Sequence, residues 1–222
     1  MSNFYLVFII TFLSGLSTII GAFIIYLDKI NKERIISISL SLSSIIMIYV
    51  SVFDLLPNSY NYISKTYETI PTLMLIIIYM LFGILLVYYV NSKTNDKSSL
   101  YRIGLLSAIA LIIHNIPEGI ITFISSTKNL KIGLHLALSI ALHNIPEGMA
   151  ISVPIYYSTN SKKLAFLYTS IAALSEPVGG LISFLFINTI NDYLFAIILS
   201  FTAGIMIYLS KELIIENIKR LK

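Results

Sequence analysis

The sequence predicts an all-α polytopic membrane protein with seven transmembrane helices, its N-terminus outside and its C-terminal tail in the cytoplasm. Three observations predict it. Of 222 residues, 57% are hydrophobic and only 12% charged, whereas a soluble domain averages about 25% charged. Apolar runs of about 20 residues, enough to cross the hydrocarbon layer, recur along most of the chain. The basic residues are divided unequally between alternate connections. Mean hydropathy is +0.87.

The first segment, roughly 4–27, opens with MSNFYLVFII. It lacks a basic n-region and an A-x-A-like cleavage site, so it reads as a span rather than a signal peptide. The second, 35–57, carries SISLSLSS at 37–44, small residues that let helices approach closely. The third is 71–90, and the polar interval after it, 91–99, is a loop. The fourth and fifth, 101–126 and 130–157, each hold the sequence HNIPEG. The sixth is 163–187. The seventh, 193–215, runs into a basic tail. Tyr49, Tyr60, Tyr88, Tyr89, Tyr156 and Tyr157 fall near segment ends, where an amphipathic ring suits the interface. No soluble second domain has room, so residues 1–222 read as one transmembrane domain.

Orientation follows from charge. Lys29, Lys32, Arg34, Lys93, Lys97, Arg102, Lys162, Lys163, Lys211, Lys219, Arg220 and Lys222 fall on one side; Lys65, Lys128 and Lys131 fall on the other. The positive-inside rule puts the first group in the cytoplasm. A net charge of +4 arranged this way is membrane anchoring, not a nucleic-acid patch. With no cysteine, thiolate metal sites and disulfides are excluded.

The two HNIPEG copies lie 29 residues apart, in IIHNIPEGII and ALHNIPEGMA. A helix turns about 100° per residue, so with His114 at 0° Asn115 falls near 100° and Glu118 near 40°, all on one face. His143, Asn144 and Glu147 repeat the pattern. The two spans are consecutive and therefore antiparallel. If their polar faces meet, each histidine is roughly level with the other helix's glutamate. One pocket then gathers His114, Glu118, His143 and Glu147. A second gathers Asn115 and Asn144, with both glutamates on the boundary. Imidazole with carboxylate suits a borderline cation such as Zn²⁺, Mn²⁺ or Fe²⁺. An ionisable group at mid-bilayer costs about 2.5–3.5 kcal/mol even on the lenient insertion scale, so four together point to function. Pro117 and Pro146 each remove a backbone donor and free the carbonyl of Ile113 or Leu142, which suggests bent helices around a cavity.

Other polar residues lie within the spans. Glu176, mid-span in AALSEPVGG, reads as a ligand of the second pocket. Asp54 reads as an entrance carboxylate or a solvated one, His135 as a satisfied interfacial histidine, and Glu212, beside Lys211, as a solvated surface residue.

The paired HNIPEG segments resemble the Zrt-/Irt-like (ZIP) metal-ion transporters, in particular the bacterial broad-range zinc importers. DLLPNSY at 54–60, SEPVGG at 175–180 and AGIMIYLSKEL at 203–213 look like the family's second, sixth and seventh helices. The resemblance implies a binuclear site: a first ion held by His114, Glu118, His143 and Glu147, a second by Asn115, Asn144 and Glu176, with Glu118 and Glu147 shared. It implies that metal is substrate, not cofactor, that two ions bind, that one helix bundle moves by an elevator-like or rocking motion, and that the protein dimerises in a bacterial inner membrane. The family pattern has eight spans with both ends outside, so this chain reads as lacking the last. The third loop lacks the histidine-rich stretch of many relatives, and Tyr208 stands where bacterial relatives often have histidine. Two alternatives stand beside the importer: a seven-span intramembrane zinc hydrolase, against which no H-E-x-x-H appears, and a non-transporting metal-binding membrane protein.

Overall fold

The computed structural model describes residues 2–27, 31–94, 98–186 and 191–221. Lys29, Lys97, Lys222 and the residue at the end of the sixth predicted segment lie outside them. Seven helices are long and apolar enough to cross a membrane, and the described residues contain no strand. They are α1 (Ser2–Ala22, prolonged by a 3₁₀ turn at Phe23–Tyr26), α2 (Lys32–Ile63), α3 (Thr69–Lys93), α4 (Ser99–Lys128), α5 (Leu130–Thr159), α6 (Lys162–Phe186) and α7 (Asp192–Leu221). Within α2 the ladder widens into a π turn at Ser51–Leu55 before continuing as Leu56–Ile63.

Asparagines start several of these helices by satisfying first-turn N–H groups that have no intrahelical partner. Asn31 accepts from the amide of Glu33 at 2.9 Å. Asn191 accepts from Leu194 at 2.8 Å. Asn129 accepts from Lys131 and Ile132 at 3.0 and 3.2 Å. Asn129 is also the whole connection between α4 and α5, its backbone extended at φ −153° and ψ 108°. A one-residue turn leaves these two helices no freedom but to pack antiparallel in fixed register.

The helices form two groups. In one, α1 and α4 each pack against α5 and α6; in the other, α7 packs against α2 and α3. The groups meet where α2 lies on α5 and α7 on α4. Ile36, Leu40, Met47, Leu106, Leu111, Ile151, Ile155 and Leu199 fill the core. α3 is the least enclosed, with only 22% of its apolar window buried, and turns Leu73, Met74, Ile77, Leu81 and Leu85 outward. The α2 serines act as expected. Ser39, Ser43 and Ser44 are buried, and Ser43 donates to the carbonyl of Pro146 across the α2–α5 contact. Tyr88 and Tyr89, near the end of α3, are about 60% exposed, as interfacial anchoring requires; Tyr49 is equally exposed but lies midway along α2, because that helix runs on to Ile63.

The expected basic tail is instead helix. α7 continues to Leu221 because its last turns find partners on α2 and α4. Glu216 accepts from Arg220 Nε and from Ser99, both at 3.0 Å. Asn217 donates to Ser41 at 2.8 Å, and Arg220 reaches Glu33 at 3.3 Å. Glu212, expected to be solvated, is buried, with Lys211 Nζ 3.2 Å from its carboxylate.

Candidate metal centre

The register set by Asn129 brings the two HNIPEG copies together. His114 lies 15 residues before the turn and His143 14 after it, so at about 1.5 Å per residue both sit roughly 21 Å in from the helix ends. That is the middle of a 30-residue helix. Both helices run unbroken through Pro117 and Pro146.

The first group of four assembles as the spacing predicts. His143 Nε2 lies 2.8 Å from Glu118 Oε1. His114 Nε2 lies 3.0 Å from the same oxygen and 3.4 Å from Glu147 Oε1, with no directed hydrogen bond to either. Ligand atoms of His114, His143 and Glu147 lie within 4.8 Å of one another, and all three residues are buried. Glu118 is 3% exposed and Glu147 fully enclosed. Both Glu147 oxygens, Glu118 Oε2 and His114 Nδ1 have no hydrogen-bond partner. Orphaned acceptors of this kind are costly in a core. A cation inserted among them removes that cost.

Asn115, Asn144 and Glu176 assemble beside them. Asn144 Nδ2 donates to Glu176 Oε2 at 2.8 Å and to the carbonyl of Ser14 at 3.2 Å. Asn115 Nδ2 donates to the carbonyl of Ala172 at 3.0 Å, one turn before Glu176. These bonds fix both amides, because the NH₂ end is tied to carbonyls on α1 and α6. Both Oδ1 atoms, with Glu176 Oε1, are left buried and unpartnered. The result is a donor set of oxygens only, the kind that harder cations prefer.

Glycines allow these contacts. A Cβ on Gly119 would fall on the carbonyl oxygen of Glu176, and one on Gly148 on that of Thr18. The motif glycines thus let α4 lie against α6, and α5 against α1, at backbone distance. Asp54, at the π turn, accepts from Asn58 at 2.6 Å. Both line a cavity of about 170 Å³ with Tyr62, Ser125 and Glu118, so the polar cluster is reached from the end of the bundle where α2 ends and α5 begins. His135 is exposed and bonded to the carbonyl of Lys131 at 2.8 Å, as its satisfied reading requires. Tyr208 is buried, accepting from Asn91 at 3.1 Å under the Lys211 ammonium.

Sequence reasoning did not single out Ser43, Thr18 or Glu216. The serine run pointed to α2, but not to which hydroxyl would reach Pro146. A buried carboxylate in a lysine-rich stretch gave no signal.

The chain is similar to known proteins over most of its length. A family model described as ZIP Zinc transporter matches residues 90–216, the stretch that carries both motifs and Glu176. The chain is 37% identical over 227 residues to a zinc transporter ZupT of Streptococcus mutans, covering 95% of this chain and 86% of that protein. It is 37% identical over 234 residues to one of Oceanobacillus iheyensis, covering 96% and 87%. A third, from Clostridium perfringens, is 30% identical over 253 residues, covering 99% and 89%. The chain belongs to the ZIP zinc transporter family.

Proposed function

We propose that this protein imports divalent transition-metal cations across the cell membrane of a bacterium, through a binuclear site at mid-membrane. Zn²⁺ is the leading substrate, with Fe²⁺, Mn²⁺, Co²⁺ and Cd²⁺ of compatible chemistry. The family is one of transporters, so the intramembrane hydrolase falls away and metal is substrate rather than cofactor.

One observation carries the reading. Two imidazoles and two carboxylates from separate helices converge with unpartnered oxygens at the centre of 30-residue apolar helices. His114, Glu118, His143 and Glu147 hold the first ion. Asn115, Asn144 and Glu176 hold the second, with Glu118 and Glu147 shared. Cations approach through the cavity lined by Asp54, Asn58 and Glu118. The basic-residue count places that end of the bundle outside and the C-terminus in the cytoplasm. The exposed apolar faces belong to lipid and, in a homodimer, to a second copy. Residues 1–222 act as one transport domain.

Energetically the import needs no second energy source. A potential of about 100 mV, negative inside, contributes about 4.6 kcal/mol to a divalent ion, from roughly 2.3 per charge, or roughly a thousandfold accumulation. The test is zinc flux into liposomes containing the pure protein. Uptake well above that of a His143→Ala/Glu147→Ala variant is expected. Equal flux in the two would reject the reading.

A further inference from the structure

The metal centre has a two-fold order that its donors do not fully share. Gly119 of α4 takes the carbonyl of Glu176 on α6, and Gly179 of α6 takes the carbonyl of Ile116 on α4. Gly148 of α5 takes the carbonyl of Thr18 on α1, and Gly21 of α1 takes the carbonyl of Ile145 on α5. The second arrangement repeats the first with α5 in place of α4 and α1 in place of α6. Adding 29 carries the α4 positions onto α5. Subtracting 158 carries the α6 positions onto α1.

The hydrogen bonds obey the same rule. Asn115 donates to Ala172 O at 3.0 Å and Asn144 to Ser14 O at 3.2 Å. Ser175 donates to Ala172 O and Ser17 to Ser14 O, each at 2.6 Å. Thr169 donates to Ala165 O at 2.9 Å and Thr11 to Val7 O at 3.1 Å. By this correspondence the partner of Glu176 is Thr18, and the partner of Asn144 is Asn115. Glu176 meets Asn144, and the same rule pairs Thr18 with Asn115.

Thr18 is fully buried and its hydroxyl has no partner. A buried helical threonine ordinarily donates to the carbonyl four residues back, as Thr11 and Thr169 do. For Thr18 that carbonyl is Ser14 O, which already accepts from Ser17 and Asn144. Asn115 Oδ1, which the same rule pairs with Thr18, is also buried and unpartnered.

We infer that Thr18 is a further member of the metal-binding set. Its hydroxyl oxygen is the neutral counterpart of the Glu176 carboxylate across the pseudo-two-fold axis, and it ligates the ion held by Asn115 and Asn144. This rests on the binuclear reading above. The chemical effect is on charge. Glu118, Glu147 and Glu176 set three carboxylates against two dications. A fourth, at position 18, would complete neutralisation and hold both ions harder, whereas a transporter has to release them. The threonine keeps an oxygen in place without the charge.

Zinc titrations by calorimetry on the purified full chain, with liposome flux alongside, test this. Wild type is expected to bind two Zn²⁺. Thr18→Val, isosteric but lacking the oxygen, is expected to weaken one of the two by about tenfold, and Thr18→Ser to retain it. Glu176→Thr is expected to bind one ion. Moving the carboxylate across the axis, in Glu176→Thr/Thr18→Glu, is expected to recover the second. Thr18→Glu alone is expected to bind tighter and transport more slowly. If Thr18→Val does not fold, the swap decides. A folded swap variant that still binds one ion overturns the role of Thr18 and leaves the binuclear site standing. A wild-type protein that binds no dication overturns both.

Discussion

His143 of α5 meets Glu118 of α4 at 2.8 Å, Nε2 to Oε1, and so ties one copy of the repeated motif to the other. The same oxygen lies 3.0 Å from His114, so Glu118 serves both imidazoles. Glu118→Gln keeps the volume and removes the charge. Its zinc affinity should fall by at least about 100-fold, more than the loss of an orienting partner costs, and further than in His143→Ala, because in the binuclear reading Glu118 is a ligand shared by both ions. Calorimetric titration of the purified variants checks the order.

Metal binding should release protons. Imidazole and carboxylate bind a cation only when deprotonated, so protons compete for the same atoms. Zinc affinity is expected to fall by at least about tenfold from about pH 7.5 to about pH 5.5. Adding zinc to weakly buffered protein should acidify the solution. An affinity flat over that interval would exclude the displacement.

Gly119→Ala and Gly148→Ala should destabilise the fold by about 1–3 kcal/mol each, because the new methyl group meets a carbonyl on α6 or α1. On an open helix the same change stabilises by about 1 kcal/mol. The sign of the shift in a detergent unfolding midpoint therefore reads out the close backbone approach.

Arg220→Met should lower stability by about 1.5–3 kcal/mol, the range for a hydrogen bond to a charged group. It leaves the buried Glu216 with Ser99 alone. Zinc affinity should stay at the wild-type value, since this network lies at the far ends of α2, α4 and α7. Paired melting and titration experiments separate the two effects.

The seven spans were legible because lipid demands long apolar runs, and the four-residue cluster because the motif repeats on consecutive, antiparallel spans and so comes level. Glu176 was legible as a lone carboxylate at mid-span. Glu216 and Glu212 were not. Locally they sit among lysines and read as solvated, and the partners around Glu216 come from far off: Ser99 is 117 residues from Glu216, and Ser41 is 176 from Asn217. The correspondence between α1 and α6 was hidden for another reason. Its marks in the sequence, Thr11 with Thr169, Ser17 with Ser175 and Gly21 with Gly179, are small residues scattered through apolar spans, and the contacts they share run through the backbone carbonyls of Ser14 and Ala172.

The π turn at Ser51–Leu55 acts as an angular offset built into α2. Each residue added to a helix rotates everything beyond it by about 100°, and a π turn absorbs such an addition without breaking the rod. Closing that ladder into a plain α-helix with every residue kept would swing the outer half of α2 around its axis by about that angle. Ser59 would leave the carbonyl of Ala196 and the hydroxyl of Ser200, now 2.8 and 2.6 Å away. Asn58 and Tyr62 would turn off the cavity wall they share with Glu118. A single surplus residue thus sets which way the vestibule faces.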